Sequence, residues 1–294
     1  MDIQTLRNFL HLSKTLSFTK ASEKAFIGQS TLSKQIKQLE QEMGATLFLR
    51  DKRNVKLSLA GKYFKTELGK VLSELDYVME RTRQLHQGLA GEIRIGYTHS
   101  AMQSLIPAMV SAINQGFPNL KTSLIEMNNI QQIQALKSRK IDISISPNPS
   151  IPAEVGSKVL IRDNFALVLP TDHFLDPEHF GSIAQLSGEP FILPPKPEGV
   201  LYVGVVESIC TDAGFFPRVV HHTSYANSGI RLVQGGIGVT IEPIFGLRGY
   251  TDIKIIELKD IPQKAELSML WLPSFEQEFP EVLGLLRTFG PVLG

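Results

Sequence analysis

Cysteine is almost absent from the 294 residues: Cys210 stands alone, which excludes an intramolecular disulfide and fits a reducing compartment. Long apolar runs are missing too. No stretch of about 18 consecutive apolar residues occurs, and no basic segment leads into an apolar run at the start, so neither a membrane span nor a secretory leader is expected. The expectation is a soluble cytoplasmic protein with no membrane partner. Net charge is equally scarce at +1, until it is divided along the chain. The first 62 residues hold eleven Lys/Arg against five Asp/Glu, a net +6, which leaves −5 on the remainder. A basic end on a mildly acidic body points to a polyanionic partner for the N-terminal part. The length implies about two or three domains.

Residues 29–42, QSTLSKQIKQLEQE, carry the clearest pattern. Leu32, Ile36 and Leu39 recur at helical spacing and form one apolar edge. The opposite edge holds Gln29, Ser30, Thr31, Ser33, Lys34 and Lys37. An ordinary solvated face mixes Glu with Lys, whereas hydroxyls, an amide and ammonium groups donate to phosphates and base edges. Upstream, SFTKASEKAF at 17–26 is a second short helical pattern, and Ile27 and Gly28 supply a tight turn. The pair reads as a helix-turn-helix.

Ile3, Leu6, Phe9, Leu10 and Leu16 make an earlier amphipathic helix able to close a small core over that pair. Its Arg7 and Lys14 read as solvated face. After the second helix Gly44 can end the turn, and Leu47 and Phe48 can return to the core. RDKRNVK at 50–56, between extended pieces at 46–49 and 55–59, reads as the β-wing of a winged helix. Arg50, Lys52, Arg53 and Lys56 then lie where a DNA backbone or minor groove would pass. From about 60 to 89 one long helix is expected. Leu68, Leu72, Leu75, Met79 and Thr82 follow 4-3 spacing, and Val71, Val78 and Leu85 widen the stripe. Pairing with a second copy buries it economically; a core helix within one domain is the plainer alternative. Gly88 and Gly91 then mark a hinge.

Beyond it the texture becomes α/β. Strands are expected at 92–97, 122–127, 141–146, 165–169, 191–193, 218–222, 239–241, 254–258 and 266–271. Helices are expected at 105–115, 131–139, 201–213, 224–234 and 275–289. This alternation predicts mostly parallel sheets in two lobes, with a cleft where strand ends and helix starts converge. Competing chemistry reads weakly. QGGIG at 234–238 follows a helix and precedes a strand, the reverse of a phosphate loop, so its glycines suit a helix cap and a tight turn. Asp172, His173, Asp176 and His179 lack a preorganising helix and a thiolate, so a polar loop is expected and no metal or cofactor. Cys210 shares a helical pattern with Val206 and Ile209 and reads as a small core residue, not a nucleophile.

Residues 1–88 resemble the LysR-type transcriptional regulators, whose signature has the form SFTxAAxxLxxSQxxLSxQIxxLExxLGxxLFxRxxRxVxLTxAG. Ser17, Phe18, Ala21, Ala25, Gln29, Leu32, Ser33, Gln35, Ile36, Leu39, Glu40, Gly44, Leu47, Phe48, Arg50, Arg53, Val55, Leu57, Ala60 and Gly61 occupy matching places. VQGGIGVTIEP at 233–243 is similar to the family's VxxGxGxxxxP segment. Gly28 and Ser30 depart from the usual Ser and Pro, and Gly28 removes a hydroxyl able to touch phosphate.

The resemblance implies an α+β multidomain chain: an N-terminal winged helix-turn-helix over 1–60, a linker and dimerisation helix over 61–90, and a C-terminal two-lobed α/β effector domain over 91–294. That domain is similar to periplasmic solute-binding proteins of the second type, with lobe 1 at about 91–161 and 267–294 and lobe 2 at about 162–266. It also implies DNA contacts from Gln29, Ser30, Ser33, Lys34 and Arg53; Thr31 and Lys37 are added from the exposed helix edge, and Arg50 from the wing. For the effector, it implies the turn at Thr98, His99, Ser100 and Met102, then Asn128, Asn129 and Ser146, with Pro195, Tyr202, Tyr225 and Asn227 as candidates from the other lobe. Backbone amides and hydroxyls there would suit a small organic acid.

The expected function is therefore a ligand-responsive DNA-binding regulator without enzymatic activity. Its expected partners are double-stranded DNA bearing an interrupted palindrome, a small-molecule effector, and a second copy or three further copies of the chain. RNA polymerase is a further candidate. The other class is a solute-binding or enzymatic two-lobed protein with an accessory N-terminal domain. The lack of a leader speaks against the first of these alternatives, and the lack of a catalytic constellation against the second.

Overall fold

In the computed structural model, residues 2–50, 55–86 and 91–290 are described, with the backbone alone described at 50, 80–81, 84–86 and 197–200. The chain divides into two compact units, Met1–Thr82 and Arg83–Gly294.

The first unit opens with α1 (Ile3–Thr15), capped by Asp2, whose carboxylate accepts the Thr5 N–H at 2.7 Å. Ser17 caps α2 (Phe18–Ala25), accepting the Lys20 N–H at 3.3 Å. α3 (Gln29–Met43) begins at Gly28 without a side-chain cap and ends at Gly44, whose φ of +63° suits glycine. Phe9, Leu12, Ala21, Leu32, Ile36 and Leu39 are buried together. A polar chain ties the same helices, with Gln4 donating to Asn8 at 3.1 Å and Asn8 to Gln35 at 2.9 Å.

The strands β1 (Phe48–Arg50) and β2 (Val55–Leu57) pair antiparallel. Glu40 holds the approach to β1 against α3 by accepting the Leu47 and Phe48 N–H groups at 2.8 and 2.9 Å. At the start of α4 (Leu59–His86), Ser58 Oγ accepts the Gly61 N–H at 2.9 Å and donates to the Thr46 carbonyl at 2.6 Å. A Cβ at Gly61 would stand 2.1 Å from the Leu47 carbonyl oxygen, so only glycine fits. Thus Glu40, Gly44 and Gly61 set the wing on the helices.

The long helix differs from expectation in what its stripe faces. Leu68 and Leu72 are buried in the first unit's own core beside Phe9 and Phe48, and Leu75 packs against it. Val71, Val78 and Met79 stay 63%, 50% and 45% exposed, so the uncovered apolar surface starts later and lies to one side. The early turns are used to close the small winged-helix core, which three short helices alone do not cover. Of the expected hinge, Gly88 lies outside the described residues. Gly91 opens the next strand at φ +121°.

In the second unit, β3 (Gly91–Tyr97), β4 (Leu120–Glu126) and β5 (Ile143–Pro147) are parallel neighbours in a five-stranded sheet ordered β4-β3-β5-β12-β6. β12 (Ala265–Trp271) runs antiparallel to both of its neighbours, β5 and the edge strand β6 (Gly156–Asp163). α5 (His99–Ser104), α6 (Ile106–Gly116) and α7 (Asn129–Lys137) connect the parallel strands. A second sheet has β7 (Phe165–Leu169) flanked antiparallel by β10 (Thr240–Pro243) and β11 (Lys254–Leu258). Beside it β8 (Pro190–Leu193) and β9 (Arg218–His222) pair in parallel, joined to the sheet by a Phe191–Val239 bridge. α8 (Lys196–Asp212) and α9 (Ala226–Gln234) complete this lobe.

The sheets are mixed where mostly parallel ones were expected, because the chain crosses between lobes twice and β12 must return against β5 and β6. The final expected helix at 275–289 is two, α10 (Pro273–Glu278) and α11 (Pro280–Leu286), since Pro280 has no N–H to continue the ladder. At the crossing Asp163 lies opposite Ala265. Asn164 there donates to Glu257 at 2.7 Å and accepts from Lys264 at 2.6 Å, binding the two connecting segments together.

Candidate DNA-contacting and effector sites

On α3, Leu32, Ile36 and Leu39 face the core, which leaves Gln29, Ser30, Thr31, Lys34 and Lys37 exposed and Ser33 half-buried. Thr19 on α2 approaches Gln29 Oε1 at 3.5 Å, so the first turn of α3 is steadied from the helix before it. The amphipathic pattern alone forces this division, because turning the helix would bury cations and expose the leucines. Of the expected wing cations, Lys56 is exposed on β2. Lys52 and Arg53 lie outside the described residues, as does the Arg50 side chain.

In the second unit one cavity of about 690 Å³, its open mouth included, lies where the ends of the two sheets meet. From the five-stranded side come Thr98, His99, Ser100, Met127, Asn128, Asn129 and Pro147. From the other side come Ile192, Pro194, Tyr202, Thr223, Ser224, Tyr225, Ala226, Gly229 and Glu242. The polar members are held in place from behind. Thr98 Oγ1 and Ser100 Oγ stand 3.1 Å apart. Fully buried Gln132 accepts from Ser144 Oγ at 2.8 Å and Ile145 N at 3.0 Å, and donates to the Met127 carbonyl at 3.1 Å. Asn128 caps α7 through Gln131, and Asn129 donates to the Pro147 carbonyl at 2.8 Å.

Seven of the expected effector residues, Thr98, His99, Ser100, Asn128, Asn129, Tyr202 and Tyr225, are thus brought around one space. Four others do not line it. Met102 packs against the hydrophobic core. Ser146 is fully buried, because strand alternation turns it away from the side that Pro147 presents. Pro195 lies one residue past Pro194, which does line the cavity. Asn227 lines a neighbouring groove with Arg231, Arg248 and Tyr250.

Glu242 went unforeseen. It is 8% exposed, and burial pushes its carboxyl up to about 7, against the opposing effect of hydrogen bonds from Tyr202 and Thr240. An acid at the end of the apolar run VTIE was the signal available. Above the cavity, His99 Nε2 and the Tyr250 hydroxyl are 2.8 Å apart, a polar link between lobes, and burial lowers the His99 pKa.

Cys210 is fully buried and its thiol is pushed up to about 12, so it holds no thiolate at neutral pH. His173 Nδ1 accepts the Leu175 N–H at 3.2 Å within its loop. Among the described residues no group of three His, Cys, Asp or Glu side chains is arranged to hold a metal. In QGGIG, Gly235 follows α9 as its C-cap, Gly236 takes φ +73°, and a Cβ at Gly238 would meet the Pro190 carbonyl at 2.4 Å. These are a cap, a turn and a close approach.

A winged helix with a cationic helix edge, followed in the same chain by a two-lobed domain with a cavity at the lobe junction, defines a ligand-responsive DNA-binding regulator. The comparisons agree. Residues 3–62 match the model of the bacterial regulatory helix-turn-helix protein, lysR family, and residues 86–281 match the LysR substrate binding domain. The chain belongs to the LysR family of transcriptional regulators. It is 34% identical over 261 residues to the regulator CatR of Pseudomonas putida, covering 88% of this chain and 89% of that one. It is 32% identical over 244 residues to the regulator AlsR of Bacillus subtilis, covering 83% and 80%. Among solved structures, the LysR-family regulator CbnR has the same fold, with a TM-score of 0.75 at 18% identity over 99% of each chain. CbnR complexed with its target DNA gives 0.74 at 18% identity, over 99% of this chain and 100% of that one. The chain is thus a ligand-responsive, DNA-binding regulator of a family whose members form multimers.

Proposed function

We propose that residues 1–60 read DNA, that 61–90 pair two copies, and that 91–294 bind a small organic acid which shifts the packing of those copies. Gln29, Ser30, Thr31 and Ser33 would reach base edges or adjoining phosphates. Lys34, Lys37, Arg50 and Arg53 would supply phosphate contacts. Pairing through α4 sets two recognition helices on an interrupted palindrome. The relatives are named as regulators, and this reading assigns the chain no reaction.

One observation carries the effector assignment: a cavity at the lobe junction whose walls come from both sheets and whose polar groups are mostly hydroxyls and amides. A ligand there gains contacts to both lobes only when they are close, so it favours the closed arrangement. Substitution of Ser100 tests it. Its hydroxyl lies beside Thr98 Oγ1, and Ser100→Ala keeps the Cβ that packs on Gly246. Ligand affinity by calorimetry is expected to fall about tenfold, while operator affinity without ligand stays unchanged. Unaltered ligand affinity would remove Ser100 from the site.

A further inference from the structure

Resting on that placement of the effector, we infer that the ligand is a zwitterion of the amino-acid class. Its ammonium group faces Glu242, and its carboxylate faces the hydroxyls of Thr98 and Ser100. Among the described residues that line the cavity there is no lysine and no arginine, and Glu242 is the one carboxylic acid. A plain carboxylate entering this space would meet a second carboxyl and no cation, in surroundings where burial strengthens every such repulsion. An ammonium group reverses the sign of that encounter.

Glu242 can receive it. The Tyr202 and Thr240 hydroxyls beside it favour its charged form, and a carboxylate has roughly four acceptor positions, so others are left for a ligand. The Tyr202 hydroxyl also reaches the Ile241 carbonyl, so its single proton can go to that carbonyl while Glu242 is protonated and turn to Glu242 when it ionises. Met127, Ile192 and Pro194 give the remaining wall an apolar character suited to a hydrocarbon side chain. The other titratable or charged groups at or beside Glu242 are Tyr202 from α8, His99 from α5, Tyr225 ahead of α9, and Tyr250, with Arg231 and Arg248 in the adjoining groove and the Arg231 charge acting on Tyr250. His99 titrates below its ordinary value, and the Tyr202 and Tyr250 hydroxyls above theirs. Glu242, pushed up to about 7, changes its charge around neutral pH.

Calorimetry on the full chain with the twenty L-amino acids, each beside its deaminated acid and decarboxylated amine, tests this. L-Leucine, 4-methylpentanoate and isopentylamine form one such trio. For at least one trio the amino acid is expected to bind about tenfold or more tighter than either partner compound. That advantage is expected to grow from pH 6 to pH 8 as Glu242 ionises, and to vanish in Glu242→Gln. The pH series uses the unaltered chain and so does not depend on that variant folding. Deaminated acids binding as tightly as the amino acids, an advantage that survives in Glu242→Gln, or binding by no amino acid would each overturn the inference. Ala226→Tyr, which fills the cavity from α9, separates the two readings. If acids bind without an ammonium preference and Ala226→Tyr abolishes their binding, the cavity remains the effector site and the zwitterion fails. If Ala226→Tyr leaves all binding intact, the cavity assignment fails as well.

Discussion

Glu242 makes the ligand-free chain less stable as pH rises. In the unfolded chain its carboxyl loses its proton in the ordinary range near 4.5, whereas in the folded chain the proton stays until about 7. Below the first value both states hold the proton and the group contributes nothing. Between the two values the unfolded state is favoured increasingly, and above about 7 the loss is complete, on the order of 3 kcal/mol. Glu242→Gln is therefore expected to raise the melting temperature at pH 8 and to leave it nearly unchanged at pH 4. An equal shift at both values would mean that the carboxyl is not buried as described. This residue also shows where reading a sequence fails. Ser100 and Tyr202, expected from the family resemblance, line the cavity, but Glu242 owes its place there to burial by segments distant in sequence. Ser146 does not line the cavity whereas Pro147 does, since one step along a pleat moves a side chain from one face to the other.

At the scale of elements, α3 is the best specified. Its three buried residues fix its rotation, and its cap at Gly44 fixes its length. Ser33→Ala is expected to relax preference at single base pairs by roughly 1 to 3 kcal/mol, whereas Lys34→Ala should weaken binding to all sequences alike and lower the salt slope by about one. Titrations of matched and mismatched duplexes over a salt series separate the two, and identical behaviour of both variants would contradict these roles. α4 was legible as a helix, but the owner of its apolar stripe was not. Periodicity reports that a face is covered without saying by what, and here Leu68 and Leu72 are covered by the winged-helix core. Pairing should therefore depend on Val78 and Met79, and the double replacement by serine is expected to shift sedimentation toward monomer at micromolar concentration while Leu68 and Leu72 keep the first unit folded. An unchanged oligomer would place the interface elsewhere. β6 escaped notice because it is an edge strand with exposed charges, and its strand character comes from pairing with β12.

For the whole molecule, both sheets were visible as an alternation of strand and helix, but their mixed pairing was not, because antiparallel return is decided by contacts far apart in sequence. Trp271, Gly156 and Ile143 meet where three strands join, yet nothing local links them. The hydrogen bonds at the Asn164 crossing and the His99–Tyr250 link above the cavity tie the two lobes together, and in the proposed function a ligand would bias them. In the proposed function, what joins the cavity to DNA is the pairing of chains. The most direct measurement selects bound duplexes from a random pool with the full chain at physiological salt. The account predicts enrichment of two inverted half-sites at a fixed spacing of about one helical turn or a multiple of it. Recovery of single, unpaired sites, or of no sequence preference at all, would contradict it.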